Sequence, residues 1–279
     1  MAGELVTTQW LSDHLHDGNV RVVDIRGKVL PASAPLPHYF AHREEYWKSH
    51  IEDAVFVDWT KDIVDPNSKS QDIASPEDFV ALIGKLGISN DTHVVAYDDA
   101  DGMFSARLWW ALRYYGHEHV SVLDGGWKKW LAEGRPTTDI VPTFAPTTFV
   151  VKAHPDLRKT ADQVAARHPK TVLLDVRSPG EFCGEASRAK RAGHIPNAIN
   201  LPRTDLVTAE GTLKSVTELR EKFADVGIKI ETPEVITYCN GGVSASYTLL
   251  ALTVAGISTG AVYDGSWKDW GNDDSRPIA

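Results

Sequence analysis

Glu234-Val235-Ile236-Thr237-Tyr238-Cys239-Asn240-Gly241-Gly242-Val243-Ser244 is the stretch from which the rest of the chain can be read. An apolar, β-prone run ends on a cysteine. A turn of small residues follows, and then a helix-like segment from Ala245 to Ala255. A cysteine at a strand end, wrapped in a glycine-rich turn and facing a helix N-terminus, is set up to ionise. Loop N–H groups can point at the sulfur, and the helix dipole favours negative charge there. A buried cysteine is otherwise a small hydrophobe, but core cysteines seldom precede an Asn-Gly-Gly turn.

Working outward, the same kinds of segment recur in the first half. Val20–Arg26 matches Thr171–Arg177, with Asp24-Ile25-Arg26 aligned on Asp175-Val176-Arg177. His50-Ile51-Glu52-Asp53-Ala54 matches His194-Ile195-Pro196-Asn197-Ala198, and His93–Asp98 matches Glu234–Cys239. Asp124-Gly125-Gly126-Trp127 matches Asp264-Gly265-Ser266-Trp267. The separation drifts from 151 residues (24 to 175) to 140 (124 to 264), as loop-length differences require. Matches in one order at so long a period indicate a duplicated domain, not a solenoid. The expected division is residues 1–136, a proline-bearing connector over 137–156, and residues 157–279.

Each half alternates short apolar runs with helical stretches. Strands are expected at Val20–Asp24, Val94–Tyr97 and Val120–Leu123, and at Val172–Asp175, Val235–Tyr238 and Ala261–Tyr263. Helices are expected at Pro76–Leu86, capped by Ser75, and at Phe104–Tyr115, Val216–Val226 and Ser244–Ala255. The fold class that follows is α/β: two tandem domains, each a mostly parallel sheet flanked by helices. Ligands bind such sheets at the carboxyl ends of strands, where Cys239 stands.

The chain of 279 residues is 42% hydrophobic and 24% charged, ordinary globular composition. A net charge of −9 argues against nucleic acid or an anionic membrane as the main partner. Two cysteines, Cys183 and Cys239, imply no disulfide framework and fit a reducing compartment. The N-terminal residues lack a secretory pattern, so a cytoplasmic protein is expected. The acidic run Asp98-Asp99-Ala100-Asp101-Gly102 lacks the alternating ligands and distal Glu of a calcium loop. No metal or cofactor is expected.

These pieces together resemble the tandem rhodanese-type sulfurtransferases over nearly the whole chain. The resemblance rests on the two Asp-x-Arg segments, Gly193-His194-Ile195-Pro196-Asn197-Ala198, the loop Cys239–Ser244 and the two Asp-Gly-x-Trp segments. It implies that the Cys239 thiolate takes the outer sulfur of a donor, becomes a persulfide and gives that sulfur to cyanide, a thiol or sulfite. Asn240, Gly241, Gly242, Val243 and Ser244 would form the substrate-binding loop. Gly241 and Gly242 would supply the positive φ angles that curl it around the sulfur. The first half carries Asp98 where the second has Cys239, so it would be inactive and would form one wall of the cleft.

The donor is left between thiosulfate and 3-mercaptopyruvate. Thiosulfate loops in the family read C-R-K-G-V-T, and this loop has no Arg-Lys pair for the donor's charge. Mercaptopyruvate loops read C-G-[SA]-G-V-T, but the histidine expected in the first-domain loop is missing from Lys61–Asp78. Glu181 stands where both branches carry Arg, and a carboxylate there would repel an anionic donor. Arg188, Lys190 and Arg191 follow closely. Arg188 and Arg191 are taken as the substrate-binding cations. Cys183, in the same segment, is either a passive half-buried cysteine or a resolving thiol for the persulfide. His194 is expected to pack against the strand and bond backbone, since its counterpart His50 recurs beside the inactive Asp98 loop where no chemistry is expected, and the tryptophans at 109, 110, 127, 130, 267 and 270 are expected to serve packing.

Two competing classes are weighed. Phosphatases with C-x5-R need Arg at position 245, which is Ala. A sulfur-relay protein would carry the Cys239 persulfide to a protein thiol with little small-molecule turnover. The expected partners are a small sulfur donor and a thiophilic acceptor, with a protein thiol as a further acceptor. A monomer is expected.

Overall fold

The computed structural model describes residues 3–279. The first half runs β1 (Leu5–Val6), α1 (Thr8–His14), β2 (Val20–Asp24), β3 (Gly27–Val29), β4 (Tyr39–Ala41), α2 (Arg43–Lys48), β5 (Val55–Phe56), α3 (Pro76–Lys85), β6 (His93–Tyr97), α4 (Met103–Tyr114), β7 (Val120–Leu123) and α5 (Gly126–Ala132). The second half runs β8 (Arg158–Lys159), α6 (Ala161–Ala165), β9 (Val172–Asp175), α7 (Pro179–Phe182), β10 (Ile199–Asn200), α8 (Val216–Asp225), β11 (Val235–Tyr238), α9 (Val243–Val254), β12 (Gly260–Tyr263) and α10 (Ser266–Trp270).

Each half forms a five-stranded, fully parallel sheet. The orders are β1-β7-β6-β2-β5 and β8-β12-β11-β9-β10, the same order in equivalent strands. The duplication read from sequence is therefore a duplication of topology. Central strands β2, β7, β11 and β12 are buried throughout, which is why they read as unbroken apolar runs instead of alternating ones. Ser75 caps α3 by accepting from the Asp78 N–H, as its sequence implied. Observed helix bounds differ from the expected ones by a residue, because the turn glycines Gly102 and Gly242 are the caps of α4 and α9.

The repeated motifs turn out to be bracing. Asp24 pairs with Arg26 and accepts from the Tyr97 hydroxyl at 2.6 Å, while the Arg26 guanidinium donates to Ser49 O and lies 4.2 Å from the Trp127 ring. Asp175 pairs likewise with Arg177, which donates to Gly193 O and lies 4.6 Å from the Trp267 ring. Each Asp-x-Arg thus ties a strand end to the Gly-His or Ser-His turn and to the Asp-Gly-x-Trp helix. His50 and His194 both bond backbone carbonyls, of Tyr46 and Phe182, and stack on those same rings. Trp109, Trp110, Trp127, Trp130, Trp267 and Trp270 lie on α4, α5 and α10. Trp110, Trp130, Trp267 and Trp270 are fully buried.

The halves join through α4 and α9, which are buried on nearly all sides. One core cluster contains residues of both halves, including Trp110, Leu108, Leu249 and Leu250. The contacts are reciprocal. Ile73 N donates to Asp264 and, at the equivalent positions, Leu213 N donates to Asp124. Residues 137–156 contribute no strand or long helix, yet they are pinned to the first half through His50–Thr138 and Lys152 N→Tyr115 O. No helix among the described residues is long and apolar enough to cross a membrane.

Candidate functional site

Cys239 directly follows the last residue of β11, Tyr238, and is 4% exposed. Its carbonyl accepts from Trp267 N at 3.0 Å, so the start of α10 backs the loop. The Ser266 hydroxyl accepts from both Cys239 N and Gly242 N at 3.1 Å and donates to Tyr263 O at 2.7 Å. Ser266 holds φ at +52°, a left-handed conformation that its first-half counterpart Gly126 adopts at +51° without a side chain. The second half accepts the cost of a serine there, and its hydroxyl binds two loop N–H groups.

The first-half loop shows what such a turn can hold. The Asp98 carboxylate accepts from the N–H groups of Ala100, Gly102, Phe104 and Ser105 at 2.8 to 3.0 Å, and from the Ser105 hydroxyl. A carboxylate at the strand end is thus enclosed by loop and helix N–H groups, whose hydrogen bonds oppose the upward push of burial on its pKa. In the second half Ser244 N and Ala245 N are equivalent to Phe104 N and Ser105 N, and they have no acceptor among the described hydrogen bonds. Asn240 N and Gly241 N are also without one. A sulfur anion on Cys239 would meet the same kind of cradle. The acidic first-half run is fully engaged: Asp98 as above, Asp99 with His42 and Gly27 N, and Asp101 with Lys128.

Two details of the loop differ from expectation. Gly242 has φ +77°, but Gly241 is not among the positive-φ residues. Gly241 instead lies in close approach to the first half, where a Cβ would come 2.8 Å from Gln71 Oε1 and 3.1 Å from Ser70 O. The Gly242 N–H is committed to Ser266 and is not offered to the sulfur.

A cleft of about 450 Å³ opens in front of Cys239 between the halves. Its walls include Asn240, Gly241, Val243, Ser244, Glu181 and Arg188 from the second half. From the first come Tyr39 on β4, Trp59, Gln71 and Met103. The Ser244 hydroxyl rests on Met103 Sδ at 3.3 Å. Arg188 is in the cleft as the sequence suggested, donating to Leu30 O at 2.6 Å and lying 3.2 Å from His38 Nδ1.

Arg191 is not there. Its guanidinium is spent on carbonyls of the C-terminal segment, Trp270, Gly271, Asp273 and Arg276, so it clamps the chain end and cannot meet a substrate. Lys190 pairs with Asp274 on the surface. Cys183 is exposed instead of half-buried and does not line the cleft. Glu181 does line it, but its charge is occupied. One oxygen accepts from Asn240 Nδ2 at 2.9 Å and lies 3.6 Å from Arg188, and the other accepts from Ser178. The expected repulsion of a donor is therefore offset, and Glu181 anchors the cysteine loop through Asn240.

Tyr39, Gln71 and Lys268 were missed. Lys268 donates from Nζ to Gln71 Oε1 at 2.7 Å and lies 4.0 Å from the centre of the Tyr39 ring. Burial, then repulsion from Arg188, lowers its pKa to about 8 against the opposing pull of Cys239. Tyr39 is raised, chiefly by burial. The one available signal was the position of Lys268 within a repeated motif that ends beside the loop. Tyr39 and Gln71 lie far from Cys239 in sequence and carry no pattern.

Residues 7–133 and 160–273 each match the family model described as rhodanese-like domain. The sulfur carrier protein TtuD of Thermus thermophilus is 36% identical over 99% of this chain and 96% of its own length. The thiosulfate sulfurtransferase of Mus musculus is 36% identical over 95% of this chain and 91% of its own. A solved structure of the 3-mercaptopyruvate sulfotransferase SseA from Escherichia coli superposes with a TM-score of 0.83 at 30% identity, covering 95% of this chain and 99% of the other.

Proposed function

The chain belongs to the rhodanese-like domain family and is a sulfurtransferase, and on that premise we propose that Cys239 is its sulfur-carrying nucleophile. The thiolate attacks the sulfane sulfur of thiosulfate or 3-mercaptopyruvate. The persulfide so formed is relieved of its outer sulfur by a thiophilic acceptor such as cyanide or a thiol. The observation that carries this reading is the pair of loops. Where the first half closes its N–H groups on the Asp98 carboxylate, the second has a cysteine and unpaired N–H groups. The loop Cys239–Ser244 is the part of the site that meets the transferred sulfur, and Arg188 is a cation at its edge.

Steady-state turnover with each donor and cyanide, alongside Cys239→Ser, tests the assignment. Turnover should fall by at least ~10³-fold in the variant. Mass spectrometry of the donor-treated protein should find one added sulfur on the Cys239 peptide. Full turnover in Cys239→Ser would end the proposal.

The likeness to a protein named as a sulfur carrier favours a second reading, in which the persulfide serves a protein thiol. A persulfide that forms on Cys239 but resists cyanide and small thiols, and is discharged by a protein thiol, would select it.

A further inference from the structure

The two loops differ in what faces the equivalent lysines. Lys128, beside the inactive loop, is paired at 2.8 Å with Asp101 of that loop. The active loop has no acidic residue, and Lys268 has no carboxylate within ion-pair distance among the described residues. Its Nζ is held by a neutral partner, Gln71, and by the face of Tyr39. Arg188 approaches the same ring, with its guanidinium carbon 5.8 Å from the centre. The Tyr39 hydroxyl is buried and makes no hydrogen bond of normal length, and the charge that acts on it most is the neighbouring Arg188 guanidinium. Arg188 already shares its charge with Glu181. A half-buried cation without a counter-ion and a second cation thus meet around the Tyr39 ring, and Tyr39, Arg188 and the Gln71 that holds Lys268 all line the cleft. A half-buried ammonium in such a place is stabilised by an anion that arrives from outside.

We propose that Lys268 is a specificity-determining residue: its ammonium, with Arg188 and the Tyr39 hydroxyl, receives the sulfonate end of a thiosulfate-type donor while Cys239 takes the sulfane sulfur. This rests on the assignment of Cys239 above. A sulfonate offers three oxygens in a tripod, one for each of the three groups, whereas a carboxylate offers two in a plane. The Cys239 thiolate forms a bond to the outer sulfur of thiosulfate, and the donor's own S–S bond breaks with its electron pair leaving on sulfite. A monoanion and a dianion give a persulfide monoanion and the sulfite dianion, so no oxidant or proton is needed. The cation absent from the loop itself is then supplied by the motif behind it.

The test uses the full chain, with Lys268→Met and Lys268→Arg, and follows thiosulfate and 3-mercaptopyruvate separately with cyanide as acceptor. Lys268→Met should raise KM for thiosulfate by about tenfold or more, the loss of one charge-assisted contact. The kcat should stay within about threefold, and KM for 3-mercaptopyruvate should rise less. Lys268→Arg should recover most of the loss. Sulfite, tried on the sulfur-free protein, should slow alkylation of Cys239 by iodoacetamide in the parent and not in Lys268→Met. An unchanged thiosulfate KM, or an equal loss with both donors that Lys268→Arg does not repair, would overturn the proposal while leaving Cys239 as nucleophile. A parent protein with no Cys239-dependent turnover and no added sulfur would overturn the Cys239 assignment and this inference with it.

Discussion

Ser266 and Lys268 shape the surroundings of Cys239 in different ways. Ser266 is a positioning residue: its hydroxyl satisfies two buried N–H groups of the loop. Ser266→Ala should cost about 1–3 kcal/mol through those unpaired donors. Differential denaturant melts would measure this, and turnover should fall as the loop loosens. Lys268 carries a folded-state pKa near 8 against an ordinary 10.5. Between those values the folded protein has released a proton that the unfolded chain still holds. Stability contributed by this group therefore rises with pH across the window, and below it the buried charge is a standing cost. Lys268→Met should be more stable than the parent at neutral pH, with the gap closing as pH passes above 8. Denaturation midpoints on both sides of the window check the sign. The groups that face this ammonium are Arg188, Tyr39 and Cys239, with Gln71 neutral.

Among the elements, α4 and α9 decide the most. Each follows a strand end and a left-handed glycine cap, and each presents its first turn to the residue at that strand end. Their crossing brings Arg107 of α4 against Gly242 and into a buried 2.6 Å pair with Asp264, which also takes Arg158 and Ile73 N. Asp264→Ala would strand Arg107 in the interior behind the cysteine loop. A destabilisation of roughly 3–5 kcal/mol is expected in urea melts, with a parallel loss of turnover because Gly242 sits on that guanidinium. A variant as stable as the parent would show that the pair has little weight.

For the molecule as a whole, the cleft is a product of both halves. Tyr39, Trp59, Gln71 and Met103 come from the first, and the cysteine loop from the second. The core is likewise shared, since α9 buries its residues against α4. Residues 157–279 expressed alone should expose an apolar helix and aggregate or self-associate, which size-exclusion chromatography would report. Any soluble fraction should form the persulfide poorly, lacking Gln71 and Tyr39. A well-behaved monomer with full turnover would contradict the shared core.

The sequence by itself determined the duplicated α/β plan, most element positions and the place of Cys239. Apolar runs of strand length, turn glycines and repeated motifs are local patterns, and local patterns survive without coordinates. Asp24-Ile25-Arg26 and Asp175-Val176-Arg177 could be matched because the bracing they perform spans few residues at its root. Proximity in space was not legible. Arg191 and Arg188 stand three residues apart, yet one clamps the C-terminal segment and the other lines the cleft. Glu181 read as a repulsive charge and is a neutralised anchor. Only the tertiary structure decided that Tyr39 and Gln71 would share a wall with Cys239 and hold Lys268. Those contacts depend on how two sheets dock, and docking is set by the shape of the whole buried surface, which no single stretch of chain encodes.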